Sequence, residues 1–105
     1  MPARPYSAPQ TRAVLGALHA HPADWRYGYD ISRETGLASG TLYPILARLA
    51  DRGLLETRWE EDPPEGRPRR HLYRLTAEGA AQAVLVRQQP AAGRATRRRP
   101  AVEGA

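Results

Sequence analysis

The chain has no cysteine, no lysine, no phenylalanine and a single methionine in 105 residues. Without cysteine there is no disulfide framework, no thiol nucleophile and no thiolate zinc site. Without lysine, all 16 basic side chains are arginines, planar forks suited to phosphate and carboxylate; set against 11 acids they give a net charge of +5. Aromatic residues number only five tyrosines and two tryptophans, so the core is modest and help from a partner subunit is expected of so small a domain. No window approaches the ~18 apolar residues of a membrane span. Residues 1–9 are polar and proline-rich, unlike the apolar segment of a secretory signal, and the chain reads as cytoplasmic. The length suits one domain without a large substrate pocket.

Catalytic patterns are missing as well. His19, His21 and His71 lack carboxylates at metal-ligand spacing. No Ser/His/Asp grouping, phosphate-cradling glycine loop or dinucleotide fingerprint occurs. No metal, no cofactor and no enzymatic activity are therefore expected. The positive charge points toward polyanions, but it is uneven. Residues 90–105 hold Arg94, Arg97, Arg98 and Arg99 against Glu103, which leaves 12 basic and 10 acidic residues in the first 89. A nucleic-acid partner therefore depends on where the arginines of the folded part sit.

Punctuation along the chain supplies that placement. Ser7 and Gln10 have capping-box spacing, Pro9 suits a first turn, and Val14, Ala17, Leu18 and His21 recur at helical spacing, predicting a helix over about 8–20. A second helix is predicted from Tyr27 to Glu34, closed by Gly36. Ser39 or Thr41 caps a third, reaching Arg52 with Gly53 as its stop; Leu42, Ile45, Leu46 and Leu49 share one face, and Gly40, Tyr43, Pro44, Ala47, Arg48 and Asp51 the other. Pro44, near the start of that helix, is expected to cost little. The period then changes to two: Leu55, Thr57 and Trp59 oppose Glu56, Arg58 and Glu60, a half-buried strand. Residues 61–69, with three prolines and a glycine, form a long tip before a return strand around His71, Tyr73 and Leu75. Thr76 caps a fourth helix, running to Pro90, with Glu78 in its first turn. Residues 91–105 have a disordered composition.

This order, mostly helical α+β with three helices, a two-stranded wing and a C-terminal helix, is that of a winged helix-turn-helix whose third helix enters the DNA major groove. The chain divides into an N-terminal arm (1–7), the winged domain (8–76), a C-terminal dimerisation helix (77–89) and a basic tail (90–105). Winged helices also dock proteins, so an interaction module without specific DNA binding is the alternative reading.

Four segments carry a closer likeness: Tyr27-Gly28-Tyr29-Asp30-Ile31, Gly40-Thr41-Leu42-Tyr43-Pro44, Gly66-Arg67-Pro68-Arg69-Arg70 and Tyr73-Arg74-Leu75-Thr76-Ala77-Glu78-Gly79. In this order, within residues 10–86, they resemble the PadR-like transcriptional regulators; Ala38-Ser39 departs from the Ser-Pro that commonly precedes the second segment. The resemblance implies a homodimeric repressor that leaves a pseudo-palindromic double-stranded operator when a small hydrophobic or aromatic effector binds.

The residues themselves offer matching chemistry. Ser39, Thr41, Tyr43 and Arg48 lie on or beside the outer side of the third helix, with Arg48 able to present a bidentate fork. Tyr27 and Tyr29 open the second helix, where hydroxyls and free N–H groups clasp phosphate. Arg67, Arg69 and Arg70 suit phosphate or minor-groove contact. Each has a plainer reading: tyrosines packing at the core edge, and wing arginines neutralised by Glu60, Glu61, Asp62 and Glu65. Val84, Leu85 and Val86 give the fourth helix apolar surface on more than one face, and the resemblance pairs them with the partner's Val14, Leu15 and Leu18; the plainer reading is a helix covering its own core. Trp25 either lines a cavity or plugs the turn before the second helix.

Overall fold

The computed structural model describes residues 6–88; most of the expected arm and the whole basic tail lie outside the described residues. The elements are α1 (Pro9–His19), β1 (Arg26–Tyr27), α2 (Gly28–Thr35), α3 (Ser39–Asp51), β2 (Leu55–Trp59), β3 (His71–Leu75) and α4 (Ala77–Arg87). The strands form an antiparallel sheet in the order β1-β3-β2. Among the described residues, no helix is long and apolar enough to cross a membrane.

Helix ends follow local chemistry where glycine is involved. Gly36, at φ 76°, closes α2 in the left-handed conformation, and its N–H donates to the Ser32 carbonyl at 2.9 Å. Gly53, at φ 77°, closes α3: its N–H reaches Ala50 O at 3.0 Å while Leu54 N–H reaches Leu49 O at 2.9 Å, the paired bonds of a Schellman end. The N-termini differ from expectation. The N-cap residues of α1 and α3 are Ala8 and Ala38, without side-chain caps. Ser39 is thus already helical, and Pro44 falls in the second turn of α3. Its missing N–H leaves the Gly40 carbonyl without a helical donor, which exposure to water at Gly40 relieves.

One core joins all the helices. Val14, Leu15, Ile31, Leu42, Leu46 and Leu49 are each 0% exposed, with Leu18, Leu54, Leu75, Ala83 and Val86 around them. At ~2 kcal/mol per large aliphatic side chain removed from water, these positions are the main source of stability. In the single chain Val14, Leu15 and Leu18 are covered from within: α4 folds back over α1 and Arg12 Nη1 bonds the Val86 carbonyl. Of the apolar trio on α4, Val86 is buried, Val84 is half-buried and Leu85 is 47% exposed.

The sheet also departs from the simple hairpin. β1 adds a third strand, pairing Arg26 with Tyr73 and Tyr27 with Leu72. β3 is therefore central and buries Leu72 on the face opposite Tyr73 and Leu75. β2 lies at the edge: Leu55 alone is buried and Trp59 is 59% exposed, so the half-buried strand expected from its alternation is largely solvated. Arg26 makes β1 possible. It is buried, donates to the Ala17 carbonyl at 3.1 Å and pairs with Glu34, so its charge is compensated where α1 ends and α2 packs. The ring of Trp25 lies half-buried against the guanidiniums of Arg58 and Arg74, 4.5 and 4.4 Å from its centroid.

Thr76 and Gly79 join the wing to α4. The Thr76 hydroxyl caps α4 by accepting from Gly79 N–H at 3.0 Å and donates to the Gly53 carbonyl at 2.7 Å, while Thr76 N–H donates to Leu54 O at 3.0 Å. Gly79 sits so close to that carbonyl that a Cβ would lie 2.0 Å from it. The Leu-Thr-Ala-Glu-Gly segment is thus the hinge that locks the end of α3 to the start of α4.

Candidate nucleic-acid interface

α3 presents its apolar face inward and leaves Ser39, Gly40, Thr41, Tyr43, Pro44, Ala47, Arg48 and Asp51 exposed. At about 100° per residue, the centre of this outer face carries Gly40, Pro44, Ala47 and Asp51. Thr41 and Arg48 stand on one edge, one heptad apart, and Tyr43 on the other. The centre is small, so a helix of this shape can approach a groove floor closely while longer side chains reach from its edges. Arg48 makes no ion pair with another described residue and its fork is available.

On its other edge α3 meets α2 and the wing. Tyr43 lies over Gly28, the first residue of α2: a Cβ on Gly28 would fall 2.3 Å from the Tyr43 hydroxyl oxygen, so glycine is what admits the ring. Around this contact is an open cleft of about 410 Å³ lined by Tyr27, Gly28, Tyr29, Tyr43, Arg69, Arg70 and His71. Five of the nine residues expected to meet DNA are therefore gathered at one place. Tyr29 is 61% exposed beside the Arg33 guanidinium. Arg70 lies over the Tyr27 ring at 5.3 Å. At the rear, burial, with a smaller contribution from the neighbouring Tyr43 phenol, raises the Tyr73 pKa above its usual value.

Ser39, Thr41 and Arg48 are not part of this cleft; they lie along α3, outside it. Arg67 is also apart, its Nη2 bonded to Glu60 Oε2 at 2.9 Å and its side chain 27% exposed. The Tyr27 hydroxyl donates to the same oxygen at 3.0 Å. This bond to the carboxylate raises the Tyr27 pKa, and the Arg67 guanidinium holds the Glu60 carboxyl below the usual range. In the sequence Glu60 is one of four acids near the wing with nothing to distinguish it, and neither Gly28 nor His71 stands out as a site residue. His71 stacks on Trp59 with centroids 4.4 Å apart and planes 8° apart. The signal for that pair is only their opposition across the hairpin.

The family model described as the transcriptional regulator PadR-like family matches residues 14–84. The chain belongs to this family. No curated protein matches it. Among solved structures it is similar to a PadR-like transcription factor from Bacteroides fragilis, at 28% identity and TM-score 0.62, covering 72% of this chain and 74% of that one. A PadR family regulator from Clostridium difficile R20291 is 25% identical at TM-score 0.59, covering 73% and 83%. The likeness extends in fold to NadR, solved in complex with 4-hydroxyphenylacetate, at 23% identity and TM-score 0.58; the match covers 73% of this chain but half of that one. This PadR-like chain is a DNA-binding transcriptional regulator built on the winged-helix fold. The four segments singled out by their sequence correspond to the α2 opening, the start of α3, the wing and the hinge into α4.

Proposed function

We propose that this PadR-like regulator is a homodimeric repressor that reads a pseudo-palindromic operator and is released by a small aromatic or hydrophobic effector. The observation that carries the reading is the convergence of Tyr27, Tyr29, Tyr43, Arg69 and Arg70 on one open cleft beside the outer face of α3. Hydroxyls and guanidiniums in this arrangement suit the DNA backbone, fixing the register in which α3 lies in the groove. Arg48 and Thr41 then read base edges from the far edge of the helix, and Ser39 meets the backbone at its start. Arg69 and Arg70 extend the contact along the flank. The operator half-sites are expected roughly 34 to 36 Å apart.

Dimerisation in this reading uses the exposed side of α4, where Leu85 and Val84 remain after Val86 is buried in the chain's own core. Support for an aromatic effector comes from the family resemblance and from the aromatic carboxylate held by NadR. In the alternative, a docking module, the wing acids exclude DNA; that role falls to the exposed Glu61, Asp62 and Glu65, because Glu60 is turned inward onto Tyr27 and Arg67. The test is selection of bound duplexes from a random pool at near-physiological salt, with the mass of the complex recorded. Enrichment of a two-fold symmetric motif bound by two copies is the expected result. Salt-sensitive binding without enrichment would reduce the protein to a basic surface, and no binding would favour the docking module.

A further inference from the structure

The wing tip has little to hold it. Between Trp59 and His71 the chain runs through Pro63, Pro64 and Pro68, turns at Asp62 (φ 49°) and Gly66 (φ 84°), and is mostly exposed. Such a segment carries few backbone bonds of its own. Its arginines gain no advantage over free side chains unless something orders them, because fixing a long side chain costs up to ~2 kcal/mol of rotamer entropy.

Arg67 N–H donates to the Pro64 carbonyl at 3.1 Å, and most of the other bonds meet at one residue. Beyond the last assigned rung of the hairpin, Glu60 N–H donates to Arg70 O at 2.8 Å. The reciprocal bond does not go to the Glu60 carbonyl, as it would in a regular antiparallel pair. Arg70 N–H donates instead to the side-chain Oε1 of Glu60 at 3.3 Å, and the carbonyl accepts from Arg69 Nη1 at 2.9 Å. Glu60 Oε2 accepts from both Arg67 Nη2, at 2.9 Å, and the Tyr27 hydroxyl, at 3.0 Å. The Glu60 side chain is 13% exposed, the most covered member of this group of ionic side chains in the wing. Its low pKa, caused first by the Arg67 bond, agrees with a carboxylate held in its charged form.

We propose that Glu60 is a positioning residue for DNA binding: by holding Arg67, Arg69, Arg70 and Tyr27 together it sets the wing against the α2 opening, with Arg69 and Arg70 turned to the cleft. The inference rests on the reading of that cleft as the DNA backbone contact. It assigns Arg67 to the clasp, where its charge is spent on Glu60, and leaves Arg69 and Arg70 as the phosphate contacts. It also inverts the sign expected from charge alone. An acid beside a polyanion should weaken binding, and its removal should strengthen it; removal of a clasp weakens binding.

The experiment measures affinity for the selected operator at several salt concentrations for the parent, Glu60→Gln, Glu61→Gln, Arg67→Gln and the Glu60→Gln/Arg67→Gln double variant. Trypsin nicking at Arg69 and Arg70 is followed in each; the Arg67–Pro68 bond itself resists trypsin. Glu60→Gln is expected to bind about tenfold more weakly, to flatten the log-log salt slope by about 1 to 2 as Arg69 and Arg70 lose their phosphates, and to be nicked several-fold faster at an unchanged melting temperature. Glu61→Gln should bind as well as the parent or better. Arg67→Gln should match Glu60→Gln, and the double variant should be no worse than either, the signature of one shared interaction.

A parent that binds DNA, together with a Glu60→Gln variant that binds as tightly or more tightly, would overturn this inference and leave the DNA-binding reading intact. So would additive losses in the double variant, which would make Arg67 an independent phosphate contact. A parent that binds no duplex would overturn both.

Discussion

The hydroxyl of Tyr43 occupies the space over Gly28 in which any other residue would carry its Cβ, 2.3 Å from that oxygen. Through this contact the outer edge of α3 is seated on the first residue of α2, and the two helices present Tyr29 and Tyr43 to one cleft.

Gly28→Ala therefore separates folding from binding. Gly28 lacks the positive φ that favours glycine, alanine is the better helix former, and the atoms in the way are the far end of a half-exposed tyrosine. Stability should change by less than ~1 kcal/mol, while displacement of Tyr43 weakens operator binding about tenfold, a change of ~1.4 kcal/mol. Thermal melts paired with binding isotherms check this; an unaltered affinity would remove Tyr43 from the contact set.

Gly79→Ala has the opposite profile. The obstructing atom is the Leu54 carbonyl oxygen, 2.0 Å from the new Cβ, and it is already committed to Thr76 N–H. Backbone on both sides must shift, at a cost of about 3 kcal/mol. Denaturant titration should show a lower midpoint with an unchanged slope; a loss below about 0.5 kcal/mol would mean that the α3–α4 junction is looser than it looks.

Arginines on the two parts of the interface should fail differently. Arg48→Ala is expected to lower affinity for the selected operator by ~1 to 3 kcal/mol and to relax preference at one base position. Arg69→Ala or Arg70→Ala should weaken binding to all sequences alike and reduce the salt slope by about 1. Competition binding with point-mutated operators distinguishes these outcomes. A uniform loss for Arg48→Ala would make it another phosphate contact.

Leu85→Arg tests the dimer surface that remains. Because Leu85 is 47% exposed in the single chain, the charge enters water in a monomer but is buried in an α4 interface, where it lacks a partner. Sedimentation should show monomer at concentrations where the parent is dimeric, with the melting of the monomer unaffected. A dimer that persists would place the interface elsewhere.

The distance between the expected and observed arrangements has a physical pattern. The stops at Gly36 and Gly53 and the Thr76 cap were legible because each is an event within six residues of chain, requiring a left-handed glycine or a hydroxyl at a helix start. The N-cap positions expected at Ser7 and at Ser39 or Thr41 fall instead on the neighbouring alanines Ala8 and Ala38. β1 left no trace because two residues have no period, and their pairing depends on β3 more than forty positions later. The alternation in β2 reflects the pleat and not burial, since beyond Leu55 this edge strand is exposed.

The sequence by itself determined the order of elements, the apolar face of α3, the hinge into α4 and membership of the PadR-like family, because these rest on local backbone chemistry and on short motifs. The tertiary structure alone decided which apolar and charged groups satisfy one another. It covers Val14, Leu15 and Leu18 with the chain's own α4, neutralises buried Arg26 with Glu34, and singles out Glu60 from four neighbouring acids as the holder of the wing. Composition and periodicity show that a side chain needs a partner; only the path of the whole chain brings one within bonding distance.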